Sequence, residues 1–176
     1  MNPTRRAGAL FLAALAASGC LDSPGAFYQP GALEILLDVA RIATDVKAYG
    51  DAATGKARIA QGQSQLGLLD NLIANLTESQ AKRDLKNAAG ALRSALNGSA
   101  YLLDSFQALK VNRTDEARLN LEAAQANFTE AQALASGVSD PDLRAAMDFG
   151  GVAAEINRTA TGLKGPEQAP KASGGD

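Results

Sequence analysis

The sequence predicts an all-α protein built as an antiparallel bundle of five helices, and three observations lead to this fold class. First, 46% of the 176 residues are hydrophobic but only 5% are aromatic, so alanine and leucine supply most of the apolar content and favour helices over strands. Second, apolar residues recur every three or four positions through each long segment. Third, the connections between these segments are short, which predicts that successive helices are antiparallel.

The first two helices follow from stripes of apolar residues. Two neighbouring stripes lie in the first helix, and because so much of its circumference is apolar we expect it to be central in the bundle. The second helix extends from Ile59 to Leu76. The residues that define the first helix are Leu33, Ile35, Leu36, Leu37, Val39, Ala40, Ile42, Val46 and Tyr49, and those of the second include Leu66, Leu68, Leu69, Leu72 and Ile73.

The third and fourth helices carry start signals as well as apolar stripes. Thr77-Glu78-Ser79-Gln80 has the form of a capping box and predicts a helix start. Asn97-Gly98 lies in the middle of the third helix, and a break there would raise the number of helices to six. Thr114 is the predicted cap of the fourth helix. The apolar positions are Leu85, Leu92, Leu96, Leu103 and Phe106 in the third helix, and Ala117, Leu121, Ala124, Phe128, Ala131 and Ala135 in the fourth.

Asp140-Pro141 predicts the start of the last helix, because an N-cap residue is followed there by proline in the first turn. Small residues follow in this helix, and we expect them to allow a close contact with a neighbouring helix. The small residues are Gly150, Gly151, Ala153 and Ala154, and the apolar ones are Leu143, Phe149, Val152, Ile156 and Leu163.

The two ends of the chain differ from this helical pattern. Arg5 and Arg6 precede an apolar run over 7–17, which is too short for the roughly 20 residues of a bilayer span. A basic start, a short apolar run and small residues predict a signal peptide at 1–19. We therefore divide the chain into this leader, a tether at 20–31, a helical bundle at 32–164 and a disordered tail at 165–176, which is rich in Gly and Pro.

The stretch Ala17-Ser18-Gly19-Cys20 resembles the lipobox of bacterial lipoproteins. The resemblance implies that the leader is cut before Cys20, that the thiol receives a diacylglycerol and that the new amine is acylated. Several acyl chains hold a protein stably in a membrane. Leu21 after the cysteine implies the outer membrane, with the protein facing the periplasm. The alternative is an ordinary signal-peptidase cut near Ser18 or Gly19 that leaves a free thiol.

Composition excludes several classes of function. A single cysteine allows no intrachain disulfide, and the absence of histidine excludes Ser-His-Asp and Cys-His nucleophile systems and histidine-ligated metals. The formal net charge is −2, so the chain lacks the basic footprint of a nucleic-acid-binding protein. We therefore expect no enzyme activity, no cofactor, no metal, no nucleic acid and no nucleotide.

Two motifs in the chain have a chemical interpretation. The residues from Gly50 to Lys56 match G-x-x-x-x-G-K, but a phosphate-binding loop needs a preceding strand and a Ser or Thr where Ala57 stands, so we interpret the segment as a turn between helices. Of five Asn-x-Ser/Thr sequons, only the one at Asn157 has an acidic residue, Glu155, two places earlier, as bacterial glycosylation acceptors do. Asn157 is therefore a candidate glycosylation site. The other sequons are at Asn75, Asn97, Asn112 and Asn127, and several of the five are interpreted as helix-end residues, because Asn, Ser and Thr cap helices.

These observations favour a non-enzymatic lipoprotein of the bacterial envelope, anchored at Cys20 and acting as a helical scaffold for an envelope protein partner. One alternative is a periplasmic carrier of a small apolar ligand, with a cavity near the small residues at 150–154. Another is an accessory subunit of an envelope transport system that resembles a tetratricopeptide protein. The spacing of Tyr101, Ser105, Ala117 and Ala124 is similar to that repeat, but its glycine and proline landmarks are missing, and a plain bundle is favoured.

Overall fold

A computed structural model describes residues 30–49 and 51–163. The leader, most of the tether and the C-terminal tail lie outside these ranges. Within them the chain forms six α-helices and one 3-10 turn, with no strand, and the predicted all-α bundle is confirmed. The elements are α1 (Pro30–Thr44), the 3-10 turn (Val46–Ala48), α2 (Ala52–Ala74), α3 (Gln80–Lys110), α4 (Thr114–Ser136), α5 (Pro141–Ala146) and α6 (Gly150–Leu163).

Contacts between side chains show that α2 and α3 are antiparallel. As residue numbers rise along α2, the numbers of their partners in α3 fall. The pairs are Lys56 with Asp104 at 2.7 Å, Gln63 with Asn97 at 3.5 Å, and Asp70 with Arg93 at 2.8 Å.

The central helix is α3, not α1. Helix α3 packs against α1, α2 and α4, and its leucines Leu85, Leu92 and Leu96 are fully buried. In α1 only one face is buried, and Leu37 on the other side is 39% exposed. The expectation from sequence was wrong because a wide apolar stripe shows how much surface a helix could bury, not how many neighbours it has.

Helix α3 is continuous through Gly98, so the predicted break at this glycine does not occur. Gly98 is buried, and a Cβ atom placed on it would lie 2.8 Å from the ring of Phe128 in α4. The absent side chain lets this ring approach the backbone of α3. Phe128 also contacts Phe149, with ring centroids 5.9 Å apart.

The last predicted helix is instead divided into α5 and α6 by the segment 147–149. The carboxylate of Asp148 accepts a hydrogen bond of 2.8 Å from the backbone N–H of Gly150, the first residue of α6. Phe149 between them is fully buried against the core. A local side-chain cap and a buried aromatic residue therefore start a new helix where apolar spacing alone predicts continuity.

The predicted helix caps were correct in one case and wrong in two. Asp140 accepts hydrogen bonds from the backbone N–H groups of Asp142 and Leu143, as a cap before Pro141 should. At α3 the cap is Ser79, whose hydroxyl accepts from the N–H of Lys82, and not Thr77. Thr114 is the first residue of α4 and does not cap it.

The turn before α4 explains the displaced cap. Asn112 has a positive φ of 57°, and the N–H groups of Asn112 and Arg113 donate to the carbonyls of Leu109 and Ala108. These bonds form a Schellman motif that ends α3, with asparagine at the left-handed position. Because this motif sets the backbone up to Arg113, Thr114 already has a helical conformation.

A buried carboxylate fastens the α4–α5 connection to α3. Asp84 is 2% exposed and accepts hydrogen bonds from the side-chain amide of Gln80 and from the backbone N–H groups of Ser139 and Asp140. These donors satisfy a charge that would otherwise be costly to bury.

Candidate functional site

Cys20, the predicted lipid attachment site, lies outside the described residues, as does the rest of the lipobox-like stretch. Its acylation therefore stays a prediction. Helix α1 begins at Pro30, two residues before the predicted start of the bundle, so the chain from Cys20 joins the bundle at the end where α1 starts.

We define the distal end of the bundle as the opposite end, formed by the residues 45–49, by Asp51 and by the α3–α4 turn at 111–113. Tyr49 closes the first of these segments onto α1, since its hydroxyl donates a hydrogen bond of 2.7 Å to the carbonyl of Ile42. Burial raises the pKa of Tyr49, and the nearby negative charge of Asp45 raises it further.

One concave site towards this end is a cleft between the 3-10 turn and α6, which we call the turn–α6 cleft, and a larger one of about 630 Å³ lies beside the α3–α4 turn. The turn–α6 cleft has a volume of about 340 Å³. Its apolar floor consists of the buried residues Val46, Leu102 and Val152, which come from the turn, α3 and α6. The other lining residues are Thr44, Asp45, Lys47, Ala48, Asp148, Gly151, Glu155 and Arg158.

Three charged side chains form an ion-pair network at the rim of this cleft. The carboxylate of Glu155 contacts the ammonium group of Lys47 and accepts a hydrogen bond of 2.7 Å from the guanidinium group of Arg158. The side chain of Glu155 is only 15% exposed, whereas those of Lys47 and Arg158 are 58% and 71% exposed. The acid therefore lies inside the cleft wall, and the two cations project into solvent.

Each of the two remaining carboxylates of the cleft has a local source of positive potential. Asp148 accepts the backbone N–H of Gly150 at the start of α6, where the helix dipole is positive. Asp45 also lines a second small cleft of about 150 Å³, together with Arg41 and Arg58. Together with Glu155, these two carboxylates give the cleft three acidic side chains against the two cations Lys47 and Arg158.

The small residues of α6 do not have the predicted role in a helix–helix contact. Gly151 and Ala154 are exposed, and a Cβ atom on Gly151 would meet nothing within 4 Å. The nearest atom to a Cβ on Gly150 would be Oδ1 of Asp148, which caps its own helix. Gly151 and Val152 instead line the turn–α6 cleft, which is open to solvent, and the carrier function stays a prediction.

Residues 52–56 of the segment with the pattern G-x-x-x-x-G-K form the start of α2, and Gly50 lies outside the described residues. The carboxylate of Asp51 accepts hydrogen bonds from the backbone N–H and the hydroxyl of Thr54, so Asp51 caps α2. These bonds lower the pKa of Asp51. Gly55 lies within α2 against Leu103, and Lys56 pairs with Asp104. Close helix packing accounts for Gly55, so the interpretation of the second glycine as a turn residue was wrong.

A long-range polar contact fastens α1 to α2. The side-chain amide of Gln65 donates a hydrogen bond of 2.8 Å to the carboxylate of Asp38, which also accepts one from Arg41. The bond from Gln65, with help from Arg41, lowers the pKa of Asp38. Gln65 therefore contributes to the contact between α1 and α2.

The sequons have different surroundings. Asn157 is exposed on α6, but Glu155, the acidic residue two places before it, is held in the ion-pair network. Asn75 and Asn112 end helices, as interpreted, whereas Asn97 and Asn127 lie inside α3 and α4. Glycosylation of Asn157 stays a prediction.

Over 30–49 and 51–163, no three His, Cys, Asp or Glu side chains are grouped as a metal site would require. No helix in that part of the chain has the length and hydropathy of a membrane span. The α3–α4 hairpin, from Gln80 to Ser136, is longer than the 34 residues of a tetratricopeptide unit.

The chain matches no protein-family model, no curated protein and no solved structure. Its function must therefore be argued from its own residues.

The cleft residues contributed by the turn and α3 were not identified from sequence. Val46 was recognised only as an apolar helix residue, Leu102 and Lys47 were not singled out, and Glu155 was noted only for its position before Asn157. Lys47 and Glu155 are far apart in the chain, and no local pattern shows that they meet. A fold prediction that placed α6 beside the end of α1 would have been needed.

Proposed function

We propose that the protein is a non-enzymatic, lipid-anchored module of the bacterial envelope that holds a protein partner with its helical bundle. The observation that carries this proposal is the stretch Ala17-Ser18-Gly19-Cys20 directly after a short apolar run. Acylation at Cys20 would hold the chain at a membrane, and the outer membrane, with the bundle in the periplasm, is the proposed location. The partner is an envelope protein.

The topology indicates which part of an anchored bundle would face away from the membrane. Pro30 is ten positions after Cys20, so the chain that connects them spans at most about 36 Å when extended. Helix α3 has 31 residues and is about 46 Å long, and it extends from the end where α1 begins to the distal end. The distal end is therefore the surface best placed to meet a partner in the periplasm.

The side-chain chemistry supports a binding role over a catalytic one. The chain has no histidine and one cysteine, so the common nucleophile–base pairs cannot form. Several ionisable groups of the distal end are ion-paired or cap helices: Lys56 pairs with Asp104, and Asp51 caps α2. Such groups stabilise a surface and are not poised for proton transfer.

The anchor is tested by labelling cells of a lipoprotein-processing bacterium with radioactive palmitate. We expect the label in the wild-type protein and none in Cys20→Ala, with Ser18→Ala as a matched control that keeps a small residue before the cysteine and stays labelled. A wild-type protein without label would refute the lipid anchor.

The partner is tested by crosslinking in cells from two exposed positions. A photo-reactive residue at Lys110, near the distal end, should give a defined crosslinked protein, and one at Lys86, near the opposite end, should not. The crosslink should be lost when Cys20→Ala releases the protein from the membrane. Absence of any crosslink from Lys110, or an equal one from Lys86, would contradict a partner at the distal end.

A further inference from the structure

We propose that α6 is a strap that opens independently of the rest of the bundle and, when open, uncovers the apolar surface beneath it. This inference goes beyond the scaffold function and does not depend on the anchor, because every residue that carries it lies in the described part of the bundle. Two features carry it: the weak attachment of α6, and the apolar residues that α6 covers.

Helix α6 buries few side chains for its length. Of its 14 residues, only Val152 and Ile156 are buried. Helix α1 has 15 residues and buries Leu36, Val39 and Ile42 together with three alanines. Because apolar burial is the main source of helix stability in a bundle, α6 is held less firmly than a helix of the same size that lies against the core.

Within the described residues, one polar contact joins α6 to another element, the ion pair of Glu155 with Lys47 of the 3-10 turn. The other side-chain hydrogen bonds of α6, and the bond that caps it, stay within 148–163. By contrast, the α4–α5 connection is tied to α3, because Asp84 accepts hydrogen bonds from two of its backbone N–H groups. The chain is therefore fastened before α5, and the segment 147–149 is where α6 can swing away.

Helix propensity does not compensate for this weak attachment. Three of the 14 residues of α6 are glycines, Gly150, Gly151 and Gly162, and glycine is a poorer helix former than alanine. Packing does not require the last two, because a Cβ on Gly151 or Gly162 would meet nothing within 4 Å. Since an isolated helix of this length is marginal in water, α6 should lose its hydrogen bonds once it leaves the bundle.

The surface beneath α6 is apolar and is covered in the closed state. Val46 of the turn and Leu102 of α3 line the turn–α6 cleft beside Val152, yet they are only 3% and 1% exposed. Opening of α6 removes Val152 from this surface, together with the charged cleft wall formed by Glu155 and Arg158. An open α6 therefore converts a polar-rimmed cleft into an accessible apolar surface.

Independent opening is tested by amide hydrogen exchange of the full chain with Cys20→Ala, followed by NMR under native conditions. We expect the amides of 154–160 to share one opening constant and to exchange at least about 100-fold faster, relative to their intrinsic rates, than those of 91–96 in α3. Low concentrations of urea should accelerate exchange in α3 much more than in α6, because opening of α6 alone exposes little surface.

Two matched variants of buried isoleucines separate opening of α6 from global unfolding. Ile156→Val in α6 destabilises the closed state relative to both the open and the unfolded states, so exchange at 154–160 and at 91–96 should accelerate about two- to twelvefold. Ile73→Val in α2 destabilises the closed and open states alike relative to the unfolded state. In that variant only exchange at 91–96 should accelerate.

The uncovered surface is tested with a single thiol in the chain that already carries Cys20→Ala. Leu102→Cys places the thiol beneath α6, and Leu96→Cys places it at an equally buried leucine of α3 that lies beside Gly62 of α2. We expect iodoacetamide to label Leu102→Cys at least about tenfold faster than Leu96→Cys under native conditions, because opening of α6 exposes only the first thiol.

Four results would overturn the proposal. One is equal protection of 154–160 and 91–96, another is faster exchange at 154–160 in Ile73→Val, and the third is equal labelling of the two cysteine variants. The fourth is protection that falls steadily towards Leu163, because that pattern is fraying of a helix end and not the opening of a unit. None of these results bears on the lipid anchor, since the anchor is measured by palmitate labelling of Cys20.

Discussion

Replacement of Gly98 by alanine tests the closest helix contact in the core. Glycine within a helix ordinarily costs about 1 kcal/mol relative to alanine, so Gly98→Ala should stabilise α3 if nothing opposed it. In this structure the new Cβ would lie 2.8 Å from two ring atoms of Phe128 and 3.2 Å from the carbonyl oxygen of Ala124. The ring cannot move freely, because Phe128 is buried and contacts Phe149.

The expected magnitude follows from two opposing effects. Overpacking of a filled core costs about 1–3 kcal/mol. Subtracting the helix-propensity gain of about 1 kcal/mol leaves a net loss of up to about 2 kcal/mol for Gly98→Ala. Gly67→Ala is the matched control, since Gly67 lies in the interior of α2 with nothing within 4 Å of its Cβ position. That variant should gain up to about 1 kcal/mol.

The assay is urea unfolding followed by far-ultraviolet circular dichroism, with the free energy of unfolding compared among the variants. A Phe128→Leu change should cost less in the Gly98→Ala background than alone, because the smaller side chain also relieves the overlap. If Gly98→Ala stabilises the protein as much as Gly67→Ala does, the close approach of α4 to α3 at this position is refuted.

Three further predictions concern polar groups. Tyr49→Phe should lower the free energy of unfolding by about 1 kcal/mol through loss of the hydrogen bond to Ile42, whereas Tyr101→Phe, at an exposed tyrosine, should change it little. Because burial raises the pKa of Tyr49, the stability that its protonated hydroxyl contributes is fully present below the ordinary pKa of 10.0 and is lost as the pH rises through the higher pKa of the folded state. Alkaline unfolding of Tyr49→Phe should lack this loss. An identical dependence of stability on pH in the two proteins would refute the raised pKa of Tyr49. Asp84→Asn should cost about 1.5–3 kcal/mol in urea unfolding, since charge-assisted hydrogen bonds from the α4–α5 connection are lost, and an unchanged midpoint would contradict this role. Asp140→Ala should cost about 1 kcal/mol as a lost N-cap, with Asp142→Ala as a milder control, and equal effects of the two would contradict the capping role.

Sequence periodicity predicted the helices and most of their buried positions because burial of an apolar stripe is a local property of a helix. All six apolar positions proposed for α4, from Ala117 to Ala135, are buried. The same reasoning could not assign Gly98, because whether a glycine breaks a helix or receives a neighbouring ring depends on the helix that packs against it. The caps at Thr77 and Thr114 were misassigned for a related reason, since the backbone of the preceding turn selects the cap.

The candidate site was less predictable than the fold. Gly151 was expected to permit a close helix contact, but it lines an open cleft instead. Lys47 and Glu155 meet only because α6 begins after the cap at Asp148 and then lies beside the end of α1. A pair of this kind is a consequence of tertiary packing, and sequence patterns with helical period carry no information about it.

The position of the cleft follows from how this bundle is completed. Helices α1, α2 and α4 pack around α3. Helix α1 ends near the middle of α3, where the hydroxyl of Ser99 donates a hydrogen bond to the carbonyl of Ala43. Because α1 has 15 residues and α3 has 31, α1 does not cover the C-terminal half of α3. The 3-10 turn and α6 cover this part only partly, and the cleft remains above Leu102. A longer α1 would close it, so the cleft is a direct consequence of the unequal helix lengths, and the residues that border it are those in which a binding role should be sought first.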